Sequence, residues 1–231
     1  MNICTKIGQL LPAQPCFLCG AMSRNGIWCS NCDKDLPYLT MPRCPVCALP
    51  TLNGEICGHC LQHPPHFDRT VAAFSYTFPI NKLVLALKHG QQLVLVNSLA
   101  NKLAQQISVR PDSLIAMPLH PARLRERSFN QSLELARRAG RQMNIPLLLN
   151  ACQRVRDTPP QTTLSGKARS KNMRGAFGCK QDLMGQHVAV VDDVMTSGAS
   201  INEVARALRT AGAREVSAWV IARTLPHPKN N

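Results

Sequence analysis

Hydrophobic spacing changes character twice along the chain. From residue 70 onward, short apolar runs alternate with stretches of helical period. Residues 70–77 read as a strand, and Pro79 opens a helix that carries Leu83, Leu85, Ala86 and Leu87 to a stop at Lys88-His89-Gly90. Residues 93–107 form a second helical stretch and residues 114–119 a second strand; a helix holding Leu133, Leu135, Ala136 and Ala139 follows. Residues 188–191 are apolar with no polar face, the pattern of a strand buried on both sides of a parallel sheet. Ser200 and Glu203 have capping-box spacing, and Ile201, Val204, Ala205 and Leu208 keep a helical stripe up to Gly212. Residues 214–221 read as a last strand and residues 223–231 as a loose tail. Strands alternating with helices imply an α/β fold with a mainly parallel sheet flanked by helices.

The front of the chain has a different period, written in cysteine. Cys16-x-x-Cys19, Cys29-x-x-Cys32, Cys44-x-x-Cys47 and Cys57-x-x-Cys60 form an internal repeat, with nine residues between the pairs of each half and eleven between the halves. Four thiolates in two knuckles satisfy tetrahedral zinc, and two repeats supply two structural sites. Iron or disulfides are the alternatives, and pairing the first knuckle with the third and the second with the fourth is also open. A closed set of four cysteines leaves no coordination position for catalysis, so the metal folds a segment too short for its own core. Cys4, Cys152 and Cys179 read as structural thiols; His59, His63 and His66 are not needed as ligands. The proline-rich stretch 62–66 is the expected boundary, giving a cysteine-rich module over 1–66 and an α/β domain over 67–231.

Two loops follow strands and carry anion chemistry. Asp192 and Asp193 sit where the strand at 188–191 ends, followed by Thr196-Ser197-Gly198-Ala199-Ser200 and a helix start. Amide groups at a helix start favour an anion, Gly198 permits close approach, and the hydroxyls of Thr196, Ser197 and Ser200 donate to phosphate oxygens. The acid pair accepts from sugar hydroxyls or approaches hydrated magnesium. An ordinary capped turn is the plainer alternative. After the strand at 114–119, Arg123, Arg125 and Arg127 recur at alternate positions. Guanidinium forks suit phosphate; a solvated basic loop or contacts to nucleic-acid phosphates are the alternatives.

Charge sharpens the second loop. The chain of 231 residues has a formal net charge of +14. Residues 1–67 hold 4 Lys/Arg against 3 Asp/Glu, whereas residues 121–181 hold 13 against 3. The positive field therefore belongs to one central segment, and a polyanionic partner has to be considered. Residues 156–178 have many cations and few core residues, as expected of a mobile lid or of a basic linker touching DNA. No stretch is long or apolar enough for membrane insertion, and the first residues lack the features of a secretory signal, so a cytoplasmic location is expected.

Val-Val-Asp-Asp-Val-Met-Thr-Ser-Gly, ending at Gly198, resembles the loop that binds phosphoribosyl pyrophosphate (PRPP) in type I phosphoribosyltransferases. Pro-Leu-His-Pro-x-Arg-Leu-Arg-Glu-Arg-x-Phe-Asn-Gln-Ser, starting at Pro118, resembles the signature of the ComF/GntX family, which is linked to competence and DNA utilisation. So do Gln161, Leu164, Lys167, Arg169, Asn172, Gly175, Ala176 and Phe177. The resemblance implies a phosphoribosyltransferase-like sheet behind a double zinc ribbon. It gives the 5-phosphate to Thr196, Ser197, Gly198 and Ser200, the ribose hydroxyls to Asp192 and Asp193, and the pyrophosphate to Arg123 and Arg127. Related proteins carry a turn like that at Lys88, which makes Lys88 a phosphate ligand or, equally, a cation on its helix dipole. The family usually has glycine where this chain has Ser128; a positive φ there costs serine about 1 kcal/mol.

The implied partners are PRPP with magnesium and an acceptor that is a base, a nucleoside or another nucleophile. The alternative is a protein without turnover that senses PRPP or a nucleotide, or binds single-stranded DNA beside other competence proteins. Aromatic residues are only 4% of the chain, which weakens the single-strand reading, since stacking platforms need them.

Overall fold

The computed structural model describes residues 13–24, 26–119, 121–154 and 175–226. Cys4, the Arg123 side chain, most of the expected lid and the end of the tail lie outside the described residues. The cysteine-rich module contributes β1 (Gln14–Pro15), β2 (Met22–Ser23) and two short helices, α1 (Ser30–Lys34) and α2 (Gly58–Gln62). Then follow β3 (Arg69–Ser75), α3 (Ile80–His89), α4 (Val94–Ala104), β4 (Ser113–Ala116), α5 (Pro121–Arg127), α6 (Gln131–Met143), β5 (Cys152–Arg154), β6 (Phe177–Cys179), β7 (His187–Met195), α7 (Ala199–Thr210) and β8 (Glu215–Arg223).

The main sheet has the order β3-β8-β7-β4, with every pair parallel. Side chains of the central strands alternate between two fully covered faces. Ala189, Val191, Trp219 and Ile221 pack with Leu83, Leu99 and Leu135 of α3, α4 and α6. Val188, Val190, Ala218 and Val220 pack with Val204 and Leu208 of α7. This two-sided burial is why residues 188–191 show no polar alternation.

Three elements depart from the spacing-based expectation. Strand β7 does not stop at the acid pair but runs through it to Met195. The segment carrying the arginines is a helix, α5, with Pro121 at its first position, where a fixed φ and a missing N–H cost nothing. Arg223 is not part of a loose tail: it ends β8 and is 3% exposed.

The cysteine-rich module covers the outer edge of the sheet. Tyr38 bridges Phe74 in antiparallel fashion, Leu39 N–H donates to the Ala73 carbonyl at 3.1 Å, and Thr70 N–H donates to the Pro45 carbonyl at 2.9 Å. A strand edge that would otherwise be open is thereby closed. Cys16, Trp28 and Leu36 lie in the same apolar cluster as Leu99 and Trp219, and Ala48 lies in the cluster on the other face.

Candidate sugar-phosphate site and zinc centres

The candidate site follows from unequal strand lengths. Strand β4 ends at Ala116, opposite Val191, so β7 from Asp192 onward has no strand on that side. The gap is a cleft of about 230 Å³ at the carboxyl ends of the strands, where parallel sheets bind ligands. Its wall includes Lys88, Gln131, Arg154, Phe177, Asp192, Asp193 and the loop from Thr196 to Ser200.

Asp192 Oδ1 accepts from Ser132 Oγ at 2.8 Å and from the Asp193 amide at 2.9 Å. Burial, and then the neighbouring Asp193 carboxylate, push the Asp192 carboxyl up to about 7. Asp193 is 3% exposed, and its Oδ1 meets Lys88 Nζ at 2.9 Å. Its Oδ2 is buried with no hydrogen-bond partner among the described residues. Gln131, which is 4% exposed, likewise presents an unpartnered Oε1.

The loop after β7 leads through a left-handed glycine into α7. Gly198 has φ +79° and serves as the N-cap of α7. The expected capping box does not form, because the helix starts at Ala199, one residue before Ser200. Glu203 instead accepts from the Gly175 amide at 3.0 Å and from Arg206. The first turn of α7 has no side-chain cap on Gly198, and the Thr196 and Ser197 side chains are exposed. Thr196 and Ser197 therefore present their hydroxyls at the cleft wall, and the Ala199 amide makes a 3.4 Å contact with Ser197 Oγ.

The residues singled out in the sequence fall into two groups. Lys88, Asp192, Asp193, Thr196, Ser197, Gly198 and Ser200 share the cleft wall. Arg127 stands outside that wall on α5, half-buried, with its Nε unpartnered among the described residues. Ser128 has φ +62°, and its amide donates to the Leu124 carbonyl at 2.8 Å, so it closes α5 in the left-handed conformation usual for glycine. Gln131 and Arg154 in the cleft wall, and Ser132 buried behind Asp192, are residues that the sequence reading did not select. A readable sign existed for two of them: Gln131 and Ser132 precede Leu135 and Ala136 by one helical turn, so they are polar groups on an apolar stripe.

The cysteines gather as two quartets, Cys16, Cys19, Cys29, Cys32 and Cys44, Cys47, Cys57, Cys60, each with its sulfurs within 4.8 Å of one another. The Cys19–Cys29 and Cys47–Cys57 sulfurs are 3.8 and 3.7 Å apart. Zn–S bonds of about 2.3 Å in a tetrahedron require S···S edges of about 3.8 Å. Both quartets therefore fit zinc, and the crossed pairing of knuckles is excluded. Cys152 faces Cys179 across β5 and β6, and burial pushes its thiol up to about 12, which keeps it unreactive. Among the described residues no helix is long and apolar enough to cross a membrane.

Fold and site thus define a double zinc ribbon joined to a phosphoribosyltransferase-like α/β domain. Residues 6–61 match the double zinc ribbon domain and residues 129–229 the phosphoribosyl transferase domain. The chain is 34% identical to DNA utilization protein YhgH of Salmonella typhimurium over 222 residues, covering 91% of this chain and 97% of that one. It is 32% identical to Competence protein F of Haemophilus influenzae over 215 residues, covering 87% and 92%. Against Competence protein ComFC of Bacillus subtilis the identity is 24% over 208 residues, covering 85% and 84%. The chain belongs to the ComF/GntX family of competence and DNA-utilisation proteins.

Proposed function

We propose that the cleft between β4 and β7 binds PRPP with magnesium and that the protein acts as a phosphoribosyltransferase. The observation that carries this reading is Asp193. One of its oxygens is paired with Lys88, and the other is buried with no hydrogen-bond partner among the described residues, in the cleft wall that also holds the start of α7. An orphaned buried acceptor costs about 1–3 kcal/mol, and a ribose hydroxyl or a hydrated cation removes that cost. The 5-phosphate then lies on Thr196, Ser197, Gly198 and Ser200, with the ribose hydroxyls on Asp192 and Asp193. The pyrophosphate extends toward Arg123 and Arg127, with Lys88 adding positive charge. Asp192 and Asp193 are oxygen donors of the kind magnesium takes through its water shell, and the ion, when bound, neutralises pyrophosphate charge.

In turnover the bond from ribose C1 to the pyrophosphate oxygen breaks with its electron pair leaving on the pyrophosphate. The acceptor's lone pair forms the new bond to C1, and the acceptor gives up a proton. The chain's groups position the two ends and stabilise charge, and no covalent residue is required.

Two measurements test this. Magnesium and PRPP should raise the melting temperature of the zinc-loaded protein, and Asp192→Asn/Asp193→Asn should abolish the rise. Pyrophosphate release with one member of a panel of bases and nucleosides supports turnover; a ligand shift without release across the panel supports a PRPP sensor. No shift in folded wild type overturns the site. A second reading, contact with single-stranded DNA, rests on the 13 Lys/Arg against 3 Asp/Glu in residues 121–181. It requires affinity that falls steeply with salt.

A further inference from the structure

The two zinc centres meet the α/β domain in different places. The first is fastened to α4: Asp33 pairs with Lys102 at 2.7 Å and accepts from Trp28 Nε1 at 2.8 Å. Among the described residues no hydrogen bond joins the first quartet's segment to residues 195–200.

The second centre lies directly behind the phosphate loop. Three successive carbonyls of its first knuckle are taken by the α/β domain. Pro45 accepts from the Thr70 amide at 2.9 Å, Val46 from Thr70 Oγ1 at 2.5 Å, and Cys47 from Arg223 Nε at 2.7 Å. Arg223 then turns the other side of its guanidinium to the phosphate loop. Its Nη1 donates to the Met195 carbonyl at 2.9 Å, to the Thr196 carbonyl, and to the Thr224 carbonyl at 2.9 Å. Met195 and Phe67 close the remaining space behind Gly198.

A rigid cation held by a zinc ligand's own carbonyl and gripping two carbonyls of the loop fixes where the loop's amides point. The Met195 carbonyl also accepts from the Thr224 amide at 3.0 Å, so strand β8 and Arg223 together hold the point where the loop leaves β7. A fully buried arginine needs several acceptors and opposing charge; the carbonyls supply the first and a four-thiolate zinc centre supplies the second.

We propose that the second zinc centre is the platform of the phosphate loop and that Arg223 is the positioning residue that ties them together. Zinc at Cys44, Cys47, Cys57 and Cys60 then governs affinity for the 5-phosphate end of the ligand, whereas zinc at the first centre governs only stability. This rests on the reading of the cleft as a PRPP site.

The test uses the full-length zinc-loaded chain with PRPP and, separately, ribose 5-phosphate as probes. Arg223→Met is expected to keep both zinc ions and to bind either probe at least about tenfold more weakly, the scale of one lost charge-assisted bond. Arg223→Lys should fall between. Asp33→Asn, which loosens the first ribbon, should lower the melting temperature and leave both affinities unchanged. If Arg223→Met does not fold, Cys57→Ser against Cys29→Ser makes the same comparison. Faster amide exchange over residues 196–200 belongs to the Cys57 variant alone. Equal affinities for wild type and the Arg223 variants, or equal losses from both zinc centres, overturn the proposal. Absence of PRPP binding by wild type overturns the underlying reading instead.

Discussion

Removing the cation beside Asp193 tests what Lys88 does before any ligand arrives. Lys88 Nζ and Asp193 Oδ1 are 2.9 Å apart, with side chains 19% and 5% exposed. Exposed ion pairs contribute about 0.2–1 kcal/mol. Stripping one partner from a buried pair costs about 3–5 kcal/mol, because the charge left behind has neither water nor counter-charge. One partner here is almost wholly buried, so Lys88→Met should cost about 3 kcal/mol of unfolding free energy. Asp193→Asn should cost less, about 2 kcal/mol, since Lys88 keeps some water and still feels Asp192. With both replaced, no uncompensated charge is left, and the loss should fall short of the sum by about 2 kcal/mol. The assay is urea unfolding of the four ligand-free proteins with zinc held saturating and m-values compared. Single costs that add within about 0.5 kcal/mol would refute the coupling and return Lys88 to the role of an unengaged phosphate ligand.

Other outcomes follow from single residues. Ser128→Gly should raise stability by about 0.5–1 kcal/mol, because φ is +62° there, while Ser128→Ala should not; denaturant midpoints separate the two. Gly198→Ala has φ +79° against it and sets its methyl 2.6 Å from Met195 Cε. It should cost about 1–2 kcal/mol and weaken PRPP binding, read by melting and titration. The Asp192 carboxyl is raised to about 7 from an ordinary 3.8. Between those values the folded state holds a proton that the unfolded state has released, so stability falls as pH rises through this window and levels off above it. Unfolding at pH 5 and pH 8 should show this fall in wild type relative to Asp192→Asn, and PRPP affinity should move the other way, rising as pH passes about 7.

Local order made much of this molecule legible. The zinc quartets are a spacing pattern, and the run from residue 188 to Gly198 compresses strand, acids, hydroxyls and turn into one segment. Ser128 was legible as a residue in a glycine's place, and its positive φ is what the α5–α6 turn requires. What could not be read depends on groups distant in the chain. Arg223 looked like the start of a tail because its partners, Cys47 and Met195, lie 176 and 28 residues away. The Lys88–Asp193 pair is hidden for the same reason. Spacing also misplaced the start of α7: a serine and a glutamate three apart read as a capping box, but the helix begins one residue before Ser200, and Glu203 accepts from the Gly175 amide. The arginine segment read as a loop, and Pro121 makes it a helix.

Asp192, Asp193 and the loop to Ser200 are proposed to form a PRPP site. Calorimetric titration of the zinc-loaded chain with PRPP and magnesium, beside Asp192→Ala/Asp193→Ala, tests it most directly. One saturable event per chain is expected in wild type and none in a variant that is still folded. A folded wild type that takes up no PRPP, or a variant that binds it equally well, would rule out this site and leave the basic central face as the functional surface.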